Sequence, residues 1–253
     1  MTSLLTHEPA AGDDPPVPAL ELHAVVKRYG TGAAEVRALS GVSLAVAPGE
    51  LVAVMGPSGC GKSTLLHLAG GLEDPSAGAV FVDGQDVATM SAAERAALRR
   101  RDVGYVFQRL NLVPSLTAVE NVMLPLELDG VAARAARTVA TEALERVGIV
   151  EQVDRYPDAF SGGQQQRIAI ARAVVGDRRV VFADEPTGAL DTLTSDQVVE
   201  VLAALARSGV AVVMVTHEPR FASWADRVLF LRDGVIVDQT ESQYAPAASG
   251  VAR

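Results

Sequence analysis

Cysteine is nearly absent. Cys60 is the only one, so no intrachain disulfide can form and a reducing compartment is expected. Basic residues are also scarce: 22 Lys and Arg stand against 31 Asp and Glu, for a formal charge of -9. That balance excludes the basic face that nucleic-acid binding requires and simple electrostatic adhesion to anionic lipid. No apolar run is long enough to span a bilayer. The run VAVVMV at 210–215 suits a buried strand. The N-terminus lacks the basic start and apolar centre of a signal peptide. Its stretch HEPAAGDDPPVPA, rich in Pro, Ala and acid, reads as a mobile tail over 1–18, with a second tail at 241–253. No internal repeat is present.

What is present is enough apolar material, 49 % of 253 residues, for a substantial core. ALELHAVVKRYG and VRALSGVSLAVA read as β-rich segments, and ELVAVMG as a strand buried on both faces. A helix is expected from Lys62. FVDG at 81–84 reads as strand and turn. Ser91 and Glu94 have capping-box spacing for a helix over 91–101. Residues 118–150 read as helices, and a further helix is expected from about Gly162 to Val175. RRVVFADEP and GVAVVMVTHEP read as buried strands, with a helix between them capped by Thr194 and Gln197 and ending at Gly209. RVLFLRDGVIVDQ reads as a hairpin around Asp233-Gly234. Buried strands alternating with helices predict an α/β fold with a mostly parallel core sheet.

The segment GPSGCGKST at 56–64 fits G-x-x-x-x-G-K-[ST]. Glycines let the backbone close around an anion with its N–H groups pointing inward. The helix that follows adds the positive end of its dipole. Lys62 supplies a full charge for the β- and γ-phosphates, Ser63 a hydroxyl for Mg²⁺, and Thr64 a further phosphate contact. Asp184, at the end of a buried strand, is where a P-loop enzyme keeps its Mg²⁺-binding acid. Glu185 points elsewhere and is suited to polarising a water for in-line attack.

These motifs, with FSGGQQQR at 160–167 and THE at 216–218, stand in the order of an ATP-binding-cassette (ABC) ATPase. The resemblance runs from about Leu20 to Gln239. It implies the P-loop NTPase fold of that family: a mostly parallel core sheet, an N-terminal antiparallel β subdomain and an inserted helical subdomain. The cassette would be a single domain over 19–240, with core 19–108 and 166–240 and helical subdomain 109–165. It implies ATP and Mg²⁺ as cofactors. Gly56, Pro57, Ser58, Gly59, Cys60, Gly61, Lys62, Ser63 and Thr64 would form the cradle. Tyr29 resembles the aromatic residue that stacks on adenine, with Val36 beside it. Gln108 resembles the glutamine that reaches Mg²⁺ and the attacking water. His217 resembles the switch histidine at the γ-phosphate. Ser161, Gly162, Gly163 and Gln164 would face the nucleotide held by a second copy, so the ATP-bound form would be a homodimer. This explains a glycine-rich stretch with no acid, because hydrolysis takes place in the partner. Asp191 resembles the aspartate that works across that dimer. The family's usual leucine before the serine is Phe160 here, and its usual serine at the start of the Asp191 loop is Gly188. Alkylation of Cys60, inside the cradle, is expected to block ATP binding.

Residues 65–160 cannot hold the long coiled coil of DNA-repair members, and only one cassette is present. This leaves an ATPase for a separate integral membrane permease, with no insertion into the membrane itself and a place on the cytoplasmic face of the plasma membrane. RRRDVGYVFQRLNLVPSLTAVENVMLPL followed by PTGALD is similar to the lipoprotein-release and macrolide-export branch, which also resembles the cell-division cassette. The branch implies export of lipid, lipoprotein, peptide or drug, or force transmission without transport. Residues 109–127 would receive the membrane subunit.

Overall fold

The apolar runs become strands of two sheets. The computed structural model describes residues 17–188 and 190–241. The expected tails lie outside these residues, apart from positions 17, 18 and 241. The first sheet is formed by β1 (Leu20–Tyr29), β2 (Val36–Val46), β4 (Ala77–Val82) and β5 (Gln85–Asp86), in the order β2-β1-β4-β5. It is antiparallel throughout, as the resemblance implied.

The second sheet holds β3 (Leu51–Met55), β6 (Val103–Val106), β7 (Val180–Asp184), β8 (Ala211–Val215), β9 (Arg227–Arg232) and β10 (Val235–Glu241). Its order is β10-β9-β3-β8-β7-β6. Every neighbouring pair is parallel except β9 and β10. All five residues of β7 and of β8 are buried, the signature of strands covered on both faces. β9 and β10 make the expected hairpin. Asp233 and Gly234 both have positive φ, 47° and 75°, as a two-residue I′ turn demands.

Helices cover the core sheet. α1 (Lys62–Ala69) follows β3, and α2 (Ala92–Arg101) precedes β6. Ser91 and Glu94 form the predicted capping box. α3 (Ala118–Leu128), α4 (Ala133–Arg146) and α5 (Gly162–Val174) form a helical group with α6 (Thr192–Arg207) beside them, and the short α7 (Pro219–Ala222) follows β8. Val119, Val122, Ala136, Ala140, Leu144 and Ile168 share one buried cluster with β7 and β8. Each large apolar side chain in it contributes about 1.5–3 kcal/mol. A buried polar group orders the loop before α3. The Asn121 amide donates to the carbonyls of Val113, Leu116 and Thr117 and accepts from the Val113 N–H at 2.7 Å.

One expected cap is corrected. Thr194 and Gln197 do not start α6. Asp191 does, because its backbone is extended and its carboxylate accepts from the Thr194 N–H at 3.0 Å and the Thr194 hydroxyl at 2.7 Å. Aspartate caps as well as serine or threonine, so the true start lies one turn earlier than the capping-box pattern suggested.

The two sheets meet behind the phosphate loop. The turn between β9 and β10 donates from the Gly234 N–H to the Cys60 carbonyl, and the Gly234 carbonyl accepts from the Ser40 N–H on β2. A Cβ at Gly234 would lie 2.7 Å from the Ala38 carbonyl oxygen. Gly234→Ala is therefore expected to cost roughly 2–3 kcal/mol, from positive φ plus the backbone clash. It is also expected to weaken ATP binding although residue 234 lies outside every motif. Urea unfolding and nucleotide titration of the variant check this.

Candidate functional site

β3 delivers the chain into the loop 56–61, and α1 begins at Lys62. Gly61 makes the junction with φ +106°, and a Cβ there would lie 2.5 Å from the Ala38 carbonyl oxygen. The loop thus packs backbone against backbone. The Lys62 ammonium donates to the carbonyls of Gly56 at 2.8 Å and Pro57 at 2.9 Å, holding the loop in a ring. Two of its three N–H donors are used. Cys60 is buried and its side chain belongs to the apolar cluster under α1. Its thiol therefore faces the core, and only its backbone belongs to the cradle, so the expected reactivity of this residue loses its basis.

Ser58, Gly59, Gly61, Lys62, Ser63 and Thr64 line a cleft of about 320 Å³ together with Ala38, Gln108 and Glu185. Asp184, at the end of β7 and bonded to the cleft residue Ser63, is 7 % exposed. Burial raises its pKa above the ordinary carboxylate value, against a hydrogen bond with Ser63, while Glu185 adds to the rise. Glu185 has φ +45°, a left-handed backbone uncommon for a non-glycine residue. It accepts from the Gln108 amide at 3.1 Å and lies 3.6 Å from His217 Nδ1. Residues from four separate strand ends therefore converge on one carboxylate and one phosphate loop.

The remaining predicted residues lie elsewhere. Ser161 caps α5 reciprocally with Gln164 and is exposed, as is Gly162. None of the four signature positions lines the cleft. They form a second cluster with Asp191, because a Cβ at Gly163 would lie 2.6 Å from Thr194 Cγ2 and Thr194 is bonded to Asp191. Phe160, which precedes them, is buried. Tyr29 and Val36 are directly opposed at the open end of β1 and β2 and are 39 % and 63 % exposed.

Sequence reasoning missed the residues around Tyr29. Its hydroxyl donates to Glu73 at 2.8 Å, and Glu73 also meets Lys27 and His67. A glutamate in a connecting loop and a histidine inside α1 carry no local pattern that would have marked them.

The ABC transporter family model matches residues 39–188. A macrolide export ATP-binding/permease protein, MacB, of Syntrophobacter fumaroxidans is 47 % identical over 220 residues, 86 % of this chain and 31 % of that protein. The chain spans about a third of the length of that relative and of the similar export proteins. An ABC transporter ATP-binding protein of Methanocaldococcus jannaschii, MJ1508, is 44 % identical and is covered over 98 % of its length, with 87 % of this chain. The dimeric structure of MJ0796, a bacterial ABC transporter cassette, superposes with a TM-score of 0.82 at 38 % identity, covering 88 % of this chain and 98 % of that one. The same cassette, in a post-hydrolysis state bound to ADP and Pi, matches equally.

The buried carboxylate of Asp184 has a measurable consequence. A folded-state pKa raised above the unfolded value means stability that is present at low pH and lost as the pH rises through the folded value. Asp184→Asn removes the group that loses it. The nucleotide-free variant is expected to melt above the parent at pH 8, with the difference shrinking as the pH falls. Thermal melts across pH check this, and a variant less stable than the parent at pH 8 would contradict it.

With the P-loop, the two carboxylates and the signature helix in one fold that matches these cassettes, the chain belongs to the ABC transporter family, as an ATPase cassette.

Proposed function

We propose that the chain is the motor of an exporter: two copies close around two MgATP and pull on a membrane permease. The observation that carries this is the division of the site. The cleft holds the phosphate loop and Glu185, while Ser161 to Gln164 cap an exposed helix end outside it. Neither cluster is a whole site, and a second copy turned head to tail supplies what each lacks. The dimeric state of the MJ0796 cassette supports this.

In the closed pair Lys62 gives up its loop carbonyls for the β- and γ-phosphates. Ser161 and the α5 N-terminus of the other copy meet the γ-phosphate. Glu185 orients the attacking water, His217 holds that carboxylate and the γ-phosphate in line, and Gln108 reports on both. Ser63 and Asp184 offer the oxygen ligands that a hard cation takes. Mg²⁺ held by them supplies charge neutralisation at the phosphates. Asp191 joins the two sites across the interface.

The permease docks on the groove of about 270 Å³ where Leu72, Tyr105, Phe107, Leu124, Pro125 and Leu128 meet. This includes part of the expected surface 109–127. Among the described residues no helix is long and apolar enough to cross a membrane. The cassette works from the cytoplasmic face, held there by the permease. Relatives named for macrolide and pyoverdine export support export of a lipid, lipoprotein, peptide or drug over force transmission alone.

Glu185→Gln is expected to bind ATP as the parent does and to turn over at least a hundredfold more slowly, about 3 kcal/mol of barrier. Phosphate release under saturating MgATP measures it, and ordinary turnover would refute the role of Glu185. Purified from native membranes with MgATP, the same variant is expected to bring a permease with it. Recovery with soluble proteins alone would contradict the transport reading.

A further inference from the structure

Tyr29 is the last residue of β1. The chain beyond it turns at Gly30, and Thr31 and Glu35 are exposed. A tyrosine at such a position would ordinarily sample several rotamers. Here it does not stand free. Its hydroxyl donates to Glu73 Oε2 at 2.8 Å. The Lys27 ammonium lies over one face of the ring, 5.0 Å from its centroid, and 3.0 Å from the same carboxylate oxygen. The other oxygen of Glu73 lies 3.3 Å from His67 Nδ1, and the Glu73 N–H donates to the His67 carbonyl. His67 belongs to α1, the helix that starts at Lys62. The phenol is thus tied to the helix that carries the phosphate loop twice, through Glu73 and through a hydrogen bond with Thr64.

A purely structural staple would not need this ring. Lys27 already ties β1 to the loop after α1 by donating to the Asp74 carbonyl at 2.8 Å. Tyr29 is 39 % exposed, so it adds little to the core. With Lys27 over one face, only the opposite face is open to a flat ligand.

We propose that Glu73 is a positioning residue for nucleotide binding: it presets the ring of Tyr29 to receive the adenine base at a fixed place relative to the phosphate cradle. This rests on the reading of Tyr29 as the base-stacking residue. Burial opposes ionisation of Glu73, but the hydrogen bonds from Tyr29, Lys27 and His67 outweigh it and hold the carboxyl below its ordinary value. It is therefore a charged acceptor at neutral pH, the stronger kind. Pre-organisation of this sort acts by removing the cost of immobilising a side chain on binding.

The test is a double-mutant cycle on the full chain, read by calorimetry with ATP and with inorganic triphosphate, both in Mg²⁺. Tyr29→Phe keeps the ring and loses both hydrogen bonds of its hydroxyl, to Glu73 and to Thr64. Glu73→Ala loses the acceptor, and Glu73→Gln keeps one. Tyr29→Phe and Glu73→Ala are each expected to raise the Kd for ATP roughly three- to tenfold. The double variant is expected to be no worse than Tyr29→Phe, and Glu73→Gln, which keeps a neutral acceptor, to fall between the parent and Glu73→Ala. The Kd for triphosphate is expected to stay unchanged in Glu73→Ala. Equal loss of triphosphate affinity, or additive losses in the double variant, would make Glu73 a structural residue and overturn the proposal. Tyr29→Ala separates the two levels. If it weakens ATP binding while Tyr29→Phe and Glu73→Ala do not, stacking stands and the anchor falls. If it binds ATP as the parent does, the stacking reading itself falls, and the anchor with it.

Discussion

The carbonyl of Ala38 meets two glycines, Gly61 of the phosphate loop and Gly234 of the β9–β10 turn, each closer than any side chain would allow. Around that point three pieces of backbone from distant parts of the chain are in direct contact. The loop therefore has little room to move as a unit, and its N–H groups keep their direction before any anion arrives. Catalytic electrostatics depends on such pre-organisation, because dipoles already in place need not reorganise during reaction. The parallel strands β3, β7 and β8 then bring Asp184 and Glu185 to the same end of the sheet, where ligands of open α/β sheets bind.

The arrangement has a cost in the empty protein. Asp184 is buried among groups that only partly offset its charge, and Glu185 is held in a left-handed backbone that non-glycine residues avoid. The Lys62 ammonium is occupied by loop carbonyls. On the proposed function two of these features would be offset on binding: Asp184 would meet a cation, and Lys62 would exchange neutral acceptors for an anion. The open helix end at Ser161 has the matching property on the other face, since its N–H groups are capped only by its own turn.

Much of this was legible in the chain because the physics is local. A buried strand, a glycine loop and a helix follow one another in sequence at the cradle, and Asp233-Gly234 specifies its own turn. Capping was legible at Ser91, where sequence and structure agree. It was misplaced at α6, where two capping patterns overlap and Asp191 wins. Long-range contacts were not legible. Nothing near Glu73 marks it as the partner of Tyr29, because the two are joined only when β1 lies beside the end of α1. The same holds for Asn121, whose four hydrogen bonds organise a loop that reads as ordinary polar sequence, and for Gly234, whose neighbour Ala38 is far away in the chain.

The central claim is that each copy holds half of the site. Light scattering of purified Glu185→Gln, with and without MgATP, tests it most directly. The account predicts a mass of 26.4 kDa without nucleotide and twice that with it, the doubling abolished when Ser161→Arg is added to the same chain. A mass that stays at one chain while nucleotide is demonstrably bound would contradict it.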